Sequence, residues 1–175
     1  RVTDEVGNET IISTPVICLD KKKPTADIKV KDITEWTGVH YVNGSQVPTE
    51  IIPADNYEVE KLEYLVSDKI LNSTEQATTT WTEGDPAKTA FELRGDNGDR
   101  SVYIYARITD KAGNVNVINT TQIVLDNTKP TGNISTGNAA DFANPEVQAM
   151  QTTPTVHIFP TETNLEKVEY ILSTD

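Results

Sequence analysis

The feature that most constrains this chain is a phrase that occurs twice. "RVTDEVGNETIISTPVICLDKKKPTADI" begins at Arg1, and "RITDKAGNVNVINTTQIVLDNTKPTGNI" begins at Arg107, an offset of 106 residues. Of the 28 aligned positions, 14 are identical, and most of the others are conservative. Similarity at a fixed period indicates a repeat architecture, so the chain is interpreted first as a tandem duplication.

Two further matches extend the duplication beyond this phrase. The same offset places "EKLEY" (60–64) on "EKVEY" (166–170) without a gap. It also brings "VPTEIIP" (47–53) close to "TPTVHIFP" (153–160). Three matches in one register predict a repeating unit of about one ordinary small domain.

The period sets the expected domain borders. We predict one complete repeat at 23–127, the C-terminal strands of a preceding repeat at 1–22, and the N-terminal half of a following repeat at 128–175. The junctions "LDKKKPT" and "LDNTKPT" both end in Lys-Pro-Thr. Because proline fixes its own φ and favours an extended predecessor, these junctions are predicted to be stiff.

Strand patterns dominate each unit. "SVYIYARITD" (101–110) alternates apolar and polar side chains, which is typical of a half-buried strand. Shorter candidates of the same kind lie at 26–33, 48–53, 61–67 and 120–126. Helical periodicity is weak throughout, apart from 140–150, where Pro145 limits any helix to a turn or two. The pattern predicts an all-β fold.

The segment "DKAGN" (110–114) has the composition of a tight turn between two strands. An aspartate at the first position bonds back to the local backbone, and Gly113 adopts a positive φ at little cost. The same turn recurs as "DEVGN" (4–8). We therefore interpret Asp110, Gly113 and Asn114 as a β-hairpin corner.

Short strands, Gly and Asn turns and about 100 residues per unit favour an antiparallel β-sandwich. The phrase "YARITDKAGNVNVINTTQIVLDNTKP" resembles the bacterial immunoglobulin-like tandem repeats of large surface and adhesin proteins. The similarity covers mainly the last third of each unit. It implies an all-β fold of antiparallel immunoglobulin-like β-sandwich repeats in tandem.

The charge excludes some partners. The formal net charge is -12, from 27 acidic and 15 basic side chains, so nucleic acid and anionic membrane surfaces would be repelled. No apolar run approaches the roughly 20 residues that span a bilayer, so no direct membrane insertion is expected. The sequence contains no glycine-rich phosphate loop and no local hydrolase signature, and we expect a non-catalytic protein.

Four aspartates are candidate calcium ligands, because hard cations prefer carboxylate and carbonyl oxygens. Asp110 lies at the hairpin corner and Asp126 at the end of the last strand, beside the junction. Asp4 and Asp20 are their repeat equivalents. The resemblance adds that some giant adhesins with such repeats bind Ca2+ at domain junctions. The alternative is that these acids belong to turns and strand ends without metal.

Three other side chains have the chemistry of a possible binding or reactive site. Trp81, in the polar stretch "TTTWTEGDP", is a candidate ligand contact for a sugar or protein. Trp36 aligns with Phe142 and is expected to pack in the core. Cys18 aligns with Val124 and is expected to be a small core or edge apolar residue; a single cysteine cannot form an internal disulfide.

The leading functional hypothesis is a structural segment, a stalk or spacer, of an extracellular bacterial repeat protein at the cell surface. Its expected partners are neighbouring immunoglobulin-like repeats of the same chain or of adjacent chains. One alternative is a self-assembling surface-layer or filament subunit. Another is a binding module for carbohydrate or a host-surface protein.

Overall fold

Short strands make up nearly all of the secondary structure in this computed structural model, which describes residues 1–44, 46–95, 98–136, 156–162 and 164–172. The elements in chain order are β1 Val2–Thr3, β2 Glu9–Thr10, β3 Thr25–Val30, β4 His40–Asn43, β5 Gln46–Ala54, β6 Val59–Ser67, α1 Ser73–Thr78, β7 Thr82–Gly84, β8 Thr89–Arg94, β9 Arg100–Asp110, β10 Val115–Asn119, β11 Ile123–Asp126, β12 Thr131–Thr136 and β13 Val156–Thr161. The predicted all-β class is confirmed. The chain divides into two compact units, Arg1–Asn127 and Thr128–Asp175.

Two sheets form most of the first unit. The larger has the order β4-β11-β9-β6-β7, with β10 also paired to β9. The smaller has the order β3-β5-β8. The chain crosses from the smaller sheet to the larger between β3 and β4, where Asp32 and Gly38 have positive φ angles of 65° and 75°. These two left-handed residues let the chain turn sharply at the crossing.

Both sheets contribute to one hydrophobic core, so they pack face to face in a β-sandwich-like arrangement. The smaller sheet supplies Ile28, Val30, Val47, Ile51 and Leu93. The larger sheet supplies Val42, Leu62, Val102, Ile104, Ala106, Ile108, Ile123 and Leu125. The alternating apolar residues of the "SVYIYARITD" strand all point into this core, as a strand period of two requires.

The central strand of the larger sheet is β9. It pairs along most of its length with β6, and on its other side first with β11 and then with β10. On this side of β9 the partner strand changes from β10 to β11 at Thr120. The Thr120 backbone N–H donates to the Ile104 carbonyl, and the Thr120 hydroxyl accepts the Ile104 N–H, both over 3.0 Å. These bonds satisfy the buried backbone of β9 where the neighbouring ladder is interrupted.

One strand pair differs from the expected antiparallel arrangement. β11 runs parallel to β4, with Ile123 opposite His40 and Asp126 opposite Asn43. β4 is the first strand after the chain crosses to the larger sheet, and it lies at the edge of that sheet beside β11, the final strand of the unit.

Weak helical periodicity does not predict α1, a helix of 6 residues. Asn72 caps it by accepting from the backbone N–H groups of Thr74 and Glu75, both over 3.0 Å. The Glu75 carboxylate accepts from the Asn72 N–H in return, over 2.9 Å. This reciprocal capping box corresponds to the sequence pattern Asn-x-x-Glu, which marks the start of a helix without any helical periodicity.

Within the described part of the second unit, β12 and β13 pair antiparallel, with Thr131 opposite Thr161. The predicted short helix at 140–150 and the aromatic counterpart Phe142 lie outside the described residues. No helix among the described residues has the length and apolar character needed to cross a membrane.

Candidate metal centre

Three carboxylates from distant parts of the chain meet at one end of the first unit. Asp20, Asp55 and Asp110 each present an oxygen, and these oxygens lie within 4.8 Å of one another. Asp20 precedes β3, Asp55 follows β5 and Asp110 ends β9. The antiparallel pairing of β3 with β5 brings the first two together, because Thr25 lies opposite Ala54. Mutual repulsion of three such charges favours a bound cation.

The hairpin between β9 and β10 fixes the position of Asp110. Gly113 has φ of 87° and donates its N–H to the Asp110 carbonyl over 3.1 Å. The Asp110 carboxylate accepts the backbone N–H and the side-chain amide of Asn114, both over 2.8 Å. The predicted hairpin corner is therefore present with the bonding that its residue types require.

Asp110 is buried, with 1% of its surface exposed. Burial alone would raise its pKa, because it disfavours the charged form. The Asn114 side chain and the backbone N–H groups of Asn114, Ala112 and Gly113 outweigh burial and hold the pKa of Asp110 below its ordinary value. The buried member of the cluster is therefore ionised at neutral pH and attracts cations.

The segment before β3 is tied to the body of the first unit at Asp20 and Pro24. The Asp20 carboxylate accepts the Asn56 side-chain amide over 3.0 Å, and the Asp20 carbonyl accepts the Asn114 amide over 3.3 Å. The Asn116 amide donates to the carbonyl of buried Pro24 over 2.9 Å. Three asparagines thus hold the linker that carries the first carboxylate.

Asp55 is the member of this cluster that has a carboxylate oxygen without a hydrogen-bond partner. Its Oδ2 accepts the Tyr57 backbone N–H over 2.8 Å, but its Oδ1 is buried without a hydrogen-bond partner. A buried carboxylate oxygen without a partner costs free energy, which a cation would recover. Ca2+ takes about six to eight oxygens, and three carboxylates supply part of such a shell.

An open cavity of about 360 Å³ adjoins the cluster. Its lining includes Asp20, Asp55, Glu58 and Lys111. The Lys111 ammonium is engaged by the Glu58 carboxylate. The cavity gives solvent and ions access to the two less buried carboxylates, and we call the three aspartates the junction cluster.

The structure brings together two of the four predicted ligands. Asp20 and Asp110 belong to the junction cluster, whereas Asp4 lies in the β1–β2 hairpin and Asp126 lies on β11 opposite Asn43. Asp55, the third member of the cluster, is not among the ligands predicted from the sequence. The second unit does contain a counterpart of Asp55, displaced by one residue from the 106-residue offset. Thr25 lies opposite Ala54, whereas its equivalent Thr131 lies opposite Thr161, one residue later than the offset predicts. Allowing that one-residue shift aligns Asp55 with Glu162, another acid.

Trp81, the predicted ligand contact, lies between α1 and β7 and is half-buried. Its indole N–H donates to the Gln76 carbonyl over 2.9 Å, and the Arg107 guanidinium lies 4.5 Å from its ring centroid. The ring packs against a small cluster that contains Leu71 and Tyr105. These contacts explain why a tryptophan stands in this polar stretch, and its role in ligand binding stays a prediction.

Trp36 packs against the core, as expected, and its indole N–H donates to the Ile28 carbonyl over 3.1 Å. Cys18 is exposed instead of packed. Its aligned residue Val124 lies on β11, which is paired on both sides by β4 and β9.

The sequence matches no known protein-family model, and no curated protein is similar to it.

Proposed function

We propose that this chain is a non-catalytic structural segment of an extracellular bacterial repeat protein, in which folded units alternate with stiff junctions. The observation that carries the proposal is the bonding of the linker before β3. Asp20 and Pro24 are held by Asn56, Asn114 and Asn116, so the chain entering the unit is fixed in direction. A spacer requires this property, because free rotation at each junction would shorten the stalk.

The strand order supports the immunoglobulin-like part of the proposal. A three-stranded sheet, β3-β5-β8, faces a sheet in which the last strands, β10 and β11, both pair with the central β9. Immunoglobulin sandwiches distribute their strands between two sheets in a comparable way, with the third, sixth and seventh strands together. Localisation at the cell surface follows from the same resemblance and is part of the proposal.

Limited trypsin digestion tests the fixed linker. Lys21 and Lys22 are exposed, and trypsin reaches them only when the backbone there leaves its bound conformation. We expect the double variant N56A/N116A to be cleaved at these sites roughly tenfold faster, since two hydrogen bonds to the linker are lost. N119A, which removes an asparagine of the same unit that bonds to Thr120, is the matched control and should leave the rate unchanged.

Two results would contradict the spacer. One is wild-type cleavage as fast as that of a free peptide with the linker sequence, which would make the junction a flexible tether. The other is hydrolysis of peptide or glycan substrates by the purified chain, which would make the protein an enzyme.

A second proposal is that the junction cluster binds Ca2+ and further stiffens the linker. The buried, unpartnered Oδ1 of Asp55 favours it. In the repeat register, Asp4 occupies the position of Asp110, and Asp126 occupies the position of Asp20. The four predicted aspartates then belong to three successive junctions of the same kind. Asp20 and Asp110 share the junction cluster, while Asp4 belongs to the junction before it and Asp126 to the junction after it.

Thermal unfolding with and without CaCl2, at matched ionic strength, tests this cation site. Ca2+ at 100 times its dissociation constant stabilises the folded state by about 2.7 kcal/mol. Asp55→Asn should abolish the calcium-dependent rise in melting temperature, while raising the calcium-free melting temperature because repulsion falls. Asp85→Asn is the control, since Asp85 makes the same local bond to the residue two positions on but lies outside the cluster. An equal response of both variants would assign any effect to general screening.

A further inference from the structure

The chain enters and leaves the first unit at opposite ends of its longest strand, β9. Asp20, on the entering segment, lies beside Asp110 at the end of β9. On the leaving side, Leu125 of β11 pairs with Arg100 at the start of β9. A strand rises about 3.4 Å per residue, so the 11 residues of β9 separate entry from exit by roughly 35 Å. Tension on the chain therefore acts along the strands of this unit.

The parallel pairing of β4 with β11 determines how such tension is met. Four residues of each strand are in register, from His40 opposite Ile123 to Asn43 opposite Asp126. In a parallel pair, the start of one strand and the end of the other lie at opposite ends. A pull on the start of β4 and on the end of β11 therefore slides the strands along each other, and it loads all of their hydrogen bonds at once.

β3 carries the load before β4 does. It precedes β4 in the chain and pairs antiparallel with β5, beginning with Thr25 opposite Ala54. When β3 is pulled away from β5, the load passes along the chain to His40 at the start of β4. β4 is bonded directly to β11, which continues into the exit. The β4–β11 bonds therefore join the two loaded parts of the chain without an intermediate strand.

We propose that β4 (His40–Asn43) and β11 (Ile123–Asp126) form a tension clamp, which keeps the first unit folded when the chain is pulled from both sides. The inference rests on the proposed role as a spacer, because a segment linked in series between two others carries the tension between them. The clamp adds a resistance to force. An antiparallel pair that is pulled apart at one end would not supply it, because its hydrogen bonds break one after another.

The hydrophobic core shields the bonds of the tension clamp. Val42 on β4 is 3% exposed, and Ile123 and Leu125 on β11 are 0% exposed. β11 is also held by β9 on its other side, with Ile123 opposite Val102. Backbone hydrogen bonds are stronger where water is excluded, because no solvent group replaces a partner that moves away. Side-chain packing and hydrogen bonding therefore both resist the sliding of these strands.

Asn127 extends the hold on β11 toward the exit. Its side-chain amide donates to the Gly95 carbonyl over 2.8 Å, and its backbone N–H donates to the Asp99 carboxylate over 3.1 Å. Both partners lie in the connection between β8 and β9. At the entry, the amides of Asn114 and Asn116 bind the linker in the corresponding way. The unit is thus anchored where the chain enters it and where the chain leaves it.

The backbone N–H groups of β4 allow matched variants. His40 donates its N–H to the Gln122 carbonyl over 3.0 Å, on the side of β11. Successive N–H groups of a strand point to alternate sides, so the Tyr41 N–H points away from β11, at the edge of the sheet. Proline removes the N–H of the residue that it replaces, and an edge strand tolerates proline where that N–H faces outward.

Single-molecule pulling of the intact chain in two directions tests the tension clamp. In a Cys18→Ser background, handles at the two chain ends load the clamp by sliding. Handles on Tyr57→Cys and Ala112→Cys instead peel β6 from β9 at their common end. Both pulls start from the same folded unit, so the free energy of unfolding is the same and only the direction of force differs. Forced unfolding follows the unfolding rate, and we expect the end-to-end pull to need at least about twice the force.

The unfolding of the first unit is recognised by a gain in length of roughly 300 Å, since about 100 residues extend by at most ~3.3–3.6 Å each. Equal forces in the two directions would overturn the proposal. This comparison leaves both clamp strands unaltered, so it does not depend on whether a variant of β4 folds.

His40→Pro identifies the bonds that bear the load. It should shorten the lifetime of the unit under a constant end-to-end pull by roughly tenfold, because one bond of the clamp is lost. His40→Ala removes the same ring and keeps the N–H, and Tyr41→Pro places proline at the free edge. Both should stay within about twofold of the wild type. A His40→Pro lifetime equal to that of His40→Ala would contradict the clamp.

The tension clamp and the proposed function fail separately. Trypsin cleavage at Lys21 and Lys22 reports the linker in the absence of force. A protected linker with equal pulling forces in the two directions would leave the spacer intact and overturn the clamp. A freely cleaved linker with a stronger end-to-end pull would do the reverse.

Discussion

The Asn114 side-chain amide donates to the Asp110 carboxylate over 2.8 Å, and the backbone N–H of Asn114 donates to its other oxygen over the same distance. Asn8 and Asp4 form the same two bonds, over 2.7 and 2.8 Å. The two corners differ in environment, because Asp110 is buried and Asp4 is exposed. The chain therefore carries an internal control for every substitution at the buried corner.

Asp110→Asn should lower the melting temperature by several degrees. The pKa of Asp110 is held below its ordinary value, so its surroundings favour the charged form in spite of the two neighbouring aspartates. An amide in its place would turn one N–H donor group toward the donors of Asn114. Asp4→Asn alters the same bonds at an exposed hairpin and should change the melting temperature little. Equal effects of both variants would contradict a special role for the buried corner.

The stability of the first unit should fall in acid. Asp110 has an ordinary pKa of 3.8 and a lower pKa in the folded state, so the unfolded chain binds its proton more tightly. Its contribution is complete above pH 3.8 and is lost as the pH falls through the lower folded-state pKa. Asp4 and Glu63 shift in the same direction. Urea midpoints between neutral pH and pH 2.5 should decline less steeply for Asp110→Asn than for the wild type; parallel curves would rule out Asp110 as a contributor.

The sequence predicts the features that depend on neighbouring residues better than those that depend on contacts between distant parts of the chain. The alternation in β9 and the turn at Gly113 are local, and both are confirmed. Asp55 joins the junction cluster only because β3 pairs with β5, a contact that no local pattern encodes. The helix α1 falls in 68–100, a stretch without a second copy, where the repeat offers no guide. Its capping box at Asn72 and Glu75 is a local signal for the start of this helix.

Gly113→Ala should destabilise the first unit by about 1 kcal/mol, because an L side chain pays roughly that cost in the left-handed region. Its φ is 87°, and a Cβ built there meets no atom within 4 Å, so the cost is backbone strain alone. Gly7, with φ of 90° in the exposed hairpin, supplies the matched variant Gly7→Ala. Guanidinium unfolding followed by tryptophan fluorescence should detect the first change and miss the second. A neutral Gly113→Ala would mean that the corner shifts to a different turn.

Tyr105→Phe should cost about 1–3 kcal/mol, the usual penalty for a buried donor left without an acceptor. The Tyr105 hydroxyl accepts the backbone N–H of Leu71 over 2.7 Å, and Tyr105 is 1% exposed. The lost bond would also loosen the chain that leads into α1, so the Leu71 amide should exchange faster with solvent. Tyr103→Phe is the control, since Tyr103 packs against the same small cluster but is only partly buried. An unchanged Leu71 exchange rate in Tyr105→Phe would show that another acceptor holds this amide.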